Sequence, residues 1–176
     1  MSRTVVVSDS GPLIALAGCG CLDMLVHVFG AVHIPQVVLD ETTADRSRPG
    51  AAEIVAFVQA HAQVHPSRED SVYTAMAVYL DEGEAQALSL AKALGCGVLI
   101  DERRGRQAAI RQGLKLFGVL GVLIQAKRIG VAESIAPALQ KMQSNGYRLS
   151  QDLIAETLKI VGEDLPDAQS VKSQSE

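Results

Sequence analysis

The strongest constraint on this chain is an alternation. Short β-branched and aliphatic runs, each brief enough for one strand, are separated by longer stretches of helical periodicity. Four such runs lie at residues 4–8, 32–34, 97–100 and 114–117, and residues 63–65 can add an edge strand. Helical patterns fill the intervals at 12–17, 36–43, 51–62, 82–94, 102–112, 119–127 and 133–144. Ser150 stands as the N-cap of a last helix ending before Gly162. Strands alternating with helices define an α/β class with a parallel sheet. Residues 42–50, with Asp45, Arg46, Arg48 and Pro49, read as a polar surface loop.

At 176 residues and 48% apolar composition, the chain can bury one core, which excludes wholesale disorder. Aromatics make up 3% with no Trp, which argues against broad stacking of bases on aromatic platforms. The net charge of −4 is not that of a dedicated polyanion binder, so any such contact must use a local basic patch. Cys19, Cys21 and Cys96 are too few for a disulfide framework and point to a reducing compartment, and no leader pattern precedes the first run, so a cytoplasmic location is expected. The longest uncharged stretch, 24–39, is too short and too polar for a membrane span, and no membrane role is expected. Composition divides the chain into a domain over 1–162 and a flexible polar tail over 163–176.

Asp9 and Asp101 each follow directly on an apolar run, which places both carboxylates at the carboxyl ends of parallel strands, the functional edge of such a sheet. Taken singly, either could simply cap the next helix. Two glutamates add to the case. Glu41 lies three and four residues after Val38 and Val37, and Glu84 lies four before Leu88, so each puts a charge on an apolar helical stripe. Interaction with the helix N-terminus is the plainer account of Glu84, and a frayed last turn that of Glu41. Asp81 and Glu82 read as solvated first-turn acids.

Four carboxylates at one edge repel one another, and a cation relieves this. Oxygen ligands without nearby His or Cys suit Mg²⁺ or Mn²⁺. Zinc fits poorly: His61 and His65 stand at i, i+4 but Pro66 follows at once, and Cys19 and Cys21 form only a C-x-C. Beyond Asp101, Arg103, Arg104, Arg106, Arg111 and Lys115 put five basic residues in thirteen positions, able to steer and grip a phosphate backbone, or to form an ordinary solvated face.

Four segments carry a resemblance. They are Val-Val-Ser-Asp-Ser-Gly-Pro-Leu-Ile at 6–14, Ile-Pro-Gln-Val-Val-Leu-Asp-Glu at 34–41, Asp-Glu-Gly-Glu-Ala at 81–85 and Leu-Ile-Asp-Glu-Arg-Arg-Gly-Arg at 99–106. In this order and spacing the chain resembles the PIN-domain family over residues 5–161, and within it the VapC-like toxin nucleases and a related uncharacterised subgroup. The resemblance implies a Rossmann-type α/β/α sandwich with a five-stranded parallel sheet ordered 3-2-1-4-5. It places the family's acidic quartet on Asp9, Glu41, Glu84 and Asp101, with Ser10 as the small hydroxyl residue beside the first aspartate. It also implies a Mg²⁺- or Mn²⁺-dependent ribonuclease, often the toxin of a toxin–antitoxin pair, commonly a homodimer silenced by an antitoxin protein. Arg103, Arg104 and Arg106 would then hold the RNA backbone. A non-catalytic PIN-like module that binds nucleic acid or protein is the alternative. A phospho-acceptor receiver domain fits poorly, because Ser8-Asp9, Val64-His65 and Phe117-Gly118 stand where paired acids, an acceptor aspartate and a lysine are needed. A dinucleotide-binding fold lacks its glycine fingerprint. The apolar run at 117–124 is either a dimer surface or a core helix.

Overall fold

The structure is a computed structural model and describes residues 4–164. Strands β1 (Val5–Ser8), β2 (Ala31–Pro35), β3 (Ala62–His65), β4 (Gly97–Leu99) and β5 (Leu116–Phe117) form one sheet in the order β3-β2-β1-β4-β5. Every pairing is parallel. The helices are α1 (Ser10–Gly18), α2 (Asp23–Val28), α3 (Gln36–Thr43), α4 (Ala51–His61), α5 (Ser71–Met76), α6 (Glu82–Leu94), α7 (Arg103–Arg111), α8 (Val119–Arg128), α9 (Ala136–Ser144) and α10 (Gln151–Ile160).

Side chains of a strand alternate between faces, so β1 feeds two cores. Val6 packs in one with Leu16, Leu25, Ile54, Leu123, Leu139 and Leu158. Val7 packs in the other with Met76, Leu88, Val98, Ile100 and Ala108. Helices α5, α6 and α7 thus cover one face and the remaining seven the other, which makes three layers. Both faces being covered is why β1 and β4 read as continuous apolar runs.

The chain leaves β1 toward β2 on one side and returns to β4 on the other, so β1 and β4 flank the switch point where such sheets open a crevice at their carboxyl ends. Ser8 is in register with Leu99, and the Asp9 amide donates to the Leu99 carbonyl at 3.0 Å. The first residues beyond both strands therefore lie at one edge.

Several expectations change. The six-residue helices α2 and α5 were not anticipated: α2 has no side-chain cap, and α5 is announced only by Asp70, which accepts the Tyr73 amide at 2.8 Å. The helix expected from residue 133 begins at Ala136, because Pro137 belongs in a first turn, where its missing N–H costs no bond. Glu163, assigned to the tail, is fixed: its carboxylate accepts from the Ser134 hydroxyl and from the Ile135 and Ala136 amides, and pairs with Lys127 at 3.3 Å. The rest of that tail, 165–176, lies outside the described residues. Of the run at 117–124, Val119, Val122 and Leu123 are buried in the core, Leu120 and Ile124 are half-buried, and Phe117 is set edge-on to Phe29. His61 and His65 diverge, since His65 Nε2 meets His33 Nδ1 at 2.7 Å. Among the described residues no helix is long and apolar enough to cross a membrane.

Candidate active site

Asp9 holds the N-cap position of α1, yet its side chain accepts no capping bond. It is 6% exposed. Burial pushes its carboxyl up to about 7, the charges of Asp81, Glu84 and Glu41 add to the rise, and the Ser10 amide opposes it.

Glu84 is the third residue of α6, and its place is set by a reciprocal cap. Its amide donates to Asp81 Oδ1 at 2.8 Å, while the Asp81 amide donates to Glu84 Oε2 at 3.4 Å. The side chain is 4% exposed and its Oε1 is buried without a hydrogen-bond partner. Burial, then the Asp81 charge, lifts this carboxyl to about 7, with Arg104 acting against the rise. Gly105 keeps the space beside it open, since a Cβ there would stand 2.9 Å from Oε1 and 2.2 Å from Ile100 Cδ1.

Glu41 departs from expectation: it is exposed, and the buried face of α3 centres on Val38 and Thr42. At 3.6 residues per turn Glu41 sits about 80° from that centre, on the flank with Val37. Its carboxylate is nevertheless held, because Ser10 Oγ donates to Oε2 at 2.6 Å. Gly83 leaves room for it, as a Cβ there would come within 2.6 Å of the same oxygen. Helices α1, α3 and α6 thus meet around Asp9, Glu41 and Glu84, joined by Asp81. Asp81 is exposed, as expected of a solvated acid, but it is the cap of α6 and not a first-turn residue, and its charge weighs on both buried acids.

Asp101 stands on the other side of the switch point. One oxygen accepts from the Val119 amide at 3.2 Å, at the start of α8, and the other from the Tyr147 hydroxyl. Burial raises its pKa, and Tyr147, Val119 and the Arg106 charge pull it back. Arg106 is drawn inward, donating to the Ile100 carbonyl at 3.3 Å, whereas Arg103 and Arg104 are exposed. Among the described residues, no three His, Cys, Asp or Glu side chains stand close enough to share one ion. Tyr147 escaped the sequence reading because nothing local marks it; its partner is 46 residues away.

The donor set fits a hard divalent cation in kind. It offers carboxylate oxygens alone, two of them lifted by burial and like charge, and one oxygen buried without a partner. Asp9, Glu84 and Asp101 are the carboxylates such an ion would draw on, with Glu41 beside them, and among the described residues no three of them are gathered around one point.

A family model, DUF3368, described as a PIN domain, matches residues 5–163, and the chain belongs to this family. No curated protein matches. Among solved structures, the chain is similar to a PilT N-terminus domain protein from the hyperthermophilic archaeon Sulfolobus solfataricus P2. That match has 10% identity and a TM-score of 0.47, covering 84% of this chain and 98% of the other. It is also similar to a domain of a functionally unknown protein from Methanocaldococcus jannaschii, at 17% identity and a TM-score of 0.42, covering 65% of this chain and 90% of that one.

Proposed function

We propose that this PIN domain is a Mg²⁺- or Mn²⁺-dependent ribonuclease that hydrolyses RNA phosphodiester bonds, acting in the cytoplasm as the toxin of a toxin–antitoxin pair. The observation that carries the reading is Glu84 Oε1, an orphaned carboxylate oxygen buried beside a second buried acid, Asp9. Such a pair is costly to hold as a purely structural feature. Asp9 and Asp101 would be the primary ligands, and Glu84 would complete the set. When bound, the cation supplies neutralisation of these charges and polarisation of a phosphate oxygen. Glu41, steadied by Ser10, orients the attacking water and takes its proton. The exposed Arg103 and Arg104 grip the RNA backbone without reading bases. Water adds to phosphorus as the bond to the leaving oxygen breaks; that oxygen takes a proton from solvent, and Glu41 returns the one it accepted.

One observation favours the second reading, a PIN-like module that binds RNA or a protein without cutting: among the described residues no three His, Cys, Asp or Glu side chains stand close enough to share one ion. Cleavage assays separate the two. Structured and single-stranded RNAs are incubated with Mg²⁺ or Mn²⁺, with and without EDTA, using wild type and Asp9→Asn. The nuclease reading expects metal-dependent cleavage that drops by about 10³-fold or more in the variant. Clean wild type that binds RNA and leaves it intact supports the module. Growth arrest on expression, abolished by Asp9→Asn, is the corresponding test of the toxin role.

A further inference from the structure

Tyr147 is fixed more firmly than a surface connector requires. It lies between α9 and α10, just after Gly146, whose φ of +89° turns the chain back. The Tyr147 amide donates to the Met142 carbonyl at 3.0 Å, and Gln143 Nε2 donates to the Leu149 carbonyl at 3.3 Å. Asn145 Nδ2 donates to the Gly18 carbonyl at 2.9 Å, which ties the connector to the end of α1. The ring is half-buried against the larger core. From this seat the hydroxyl reaches Asp101 Oδ2, while the Val119 amide holds Oδ1. A carboxylate offers about four lone-pair positions, and these two donors use one on each oxygen. The plane of the group is thereby set and acceptor positions remain for a cation.

We infer that Tyr147 is a positioning residue: its hydroxyl, seated by the α9–α10 connector, fixes the Asp101 carboxylate and so sets how tightly the site takes a divalent cation. The inference rests on the proposed metal-dependent function. Donors behind a ligating carboxylate commonly govern affinity in this way, because they orient the ligand before the ion arrives. A latch that had to open first would have the opposite sign, since removing the hydroxyl would then tighten binding.

The test is Mn²⁺ affinity, read from the free-ion electron paramagnetic resonance signal, in wild type, Tyr147→Phe and Tyr79→Phe. Tyr79 is a control whose hydroxyl contacts Met76 Sδ. Tyr147→Phe is expected to bind about 10–100-fold more weakly while still melting cooperatively, with Tyr79→Phe unchanged. In an Asp101→Asn background the same change is expected to have no further effect, because the two groups act as a unit. Should Tyr147→Phe not melt cooperatively, Asn145→Ala, which loosens the connector and keeps the hydroxyl, is expected to weaken Mn²⁺ several-fold. Unchanged or tighter affinity in Tyr147→Phe overturns the inference and leaves the nuclease reading standing. A wild type that binds no Mn²⁺ overturns both.

Discussion

Asp9 and Asp101 occupy equivalent positions, each just beyond a central strand of one parallel sheet, and each loses much of its hydration there. Their surroundings then diverge. Asp9 faces Asp81, Glu84 and Glu41, whereas Asp101 receives an amide, a phenol hydroxyl and the field of Arg106. Burial is a property of the strand end; its consequence is decided by which helices deliver the neighbours. On the Asp9 side α3 and α6 bring acids, and on the Asp101 side the start of α8 and the α9–α10 connector bring donors. One half of the edge gathers acids, and in the other the carboxylate is met by donors.

The comparison can be broken first through stability. Asp101→Ala leaves the Val119 amide and the Tyr147 hydroxyl without their acceptor, and it is expected to cost about 2–4 kcal/mol in denaturant melts. Asp9→Asn is expected to go the other way, by about 1–3 kcal/mol at pH 8 without divalent ions. Because folding lifts the Asp9 pKa from 3.8 to about 7, the folded state binds more protons than the unfolded between those values, and wild-type stability falls as pH rises through that window. The advantage of Asp9→Asn should therefore vanish near pH 4 and reach its full size above pH 7. Melts of both variants across pH 4–8 check the signs, and a stability loss in Asp9→Asn at pH 8 would remove the contrast.

This contrast also marks what the sequence could disclose. Asp9, Asp101 and Glu84 were legible because a charge at the end of an apolar run, or on an apolar stripe, stands out against strict periodicity. The strand order came with the family motifs and not with periodicity, which is silent on which strands are neighbours. Glu41 was legible as a candidate but misplaced, because proximity to Val37 and Val38 on a helical wheel does not identify the centre of the buried face, which Thr42 defines. Asp81 is exposed as expected, but it stands one residue before the helix placed at 82–94, so it is the cap and not a first-turn charge, and its pairing with Glu84 depends on a side chain folding back that periodicity does not show. Tyr147 and Glu163 were invisible. Each acts by a tertiary bond to a distant segment, and neither lies on a local pattern that demands a partner.

A smaller change sharpens the comparison from within the acidic half. Gly83 lies in the first turn of α6, where Ala is the better helix former, so Gly83→Ala is expected to alter stability by under about 1 kcal/mol. Its Cβ would nevertheless stand 2.6 Å from Glu41 Oε2, and the carboxylate must swing away from Ser10. RNA cleavage is expected to fall by about 10-fold or more with folding intact, since small displacements of a positioned group cost rate steeply. Ser10→Ala frees the same carboxylate without displacing it, and the smaller loss expected there would tie the effect to Glu41.

The smallest effect is expected at Arg104, whose charge opposes the rise at Glu84 on the acidic side. It is exposed, so its influence on Glu84 is screened by solvent. Arg104→Ala should make Glu84 slightly harder to ionise and move upward the pH at which stability stops falling. That shift should shrink with added salt, because the field of an exposed charge falls off over about 8 Å at physiological ionic strength. The same variant tests the backbone-gripping role. If Arg104 contacts a phosphate, the slope of log affinity for RNA against log salt should flatten by about one in the variant, equally for unrelated sequences. A pH shift with an unchanged slope would assign Arg104 to tuning the acids alone and leave the backbone contact to Arg103.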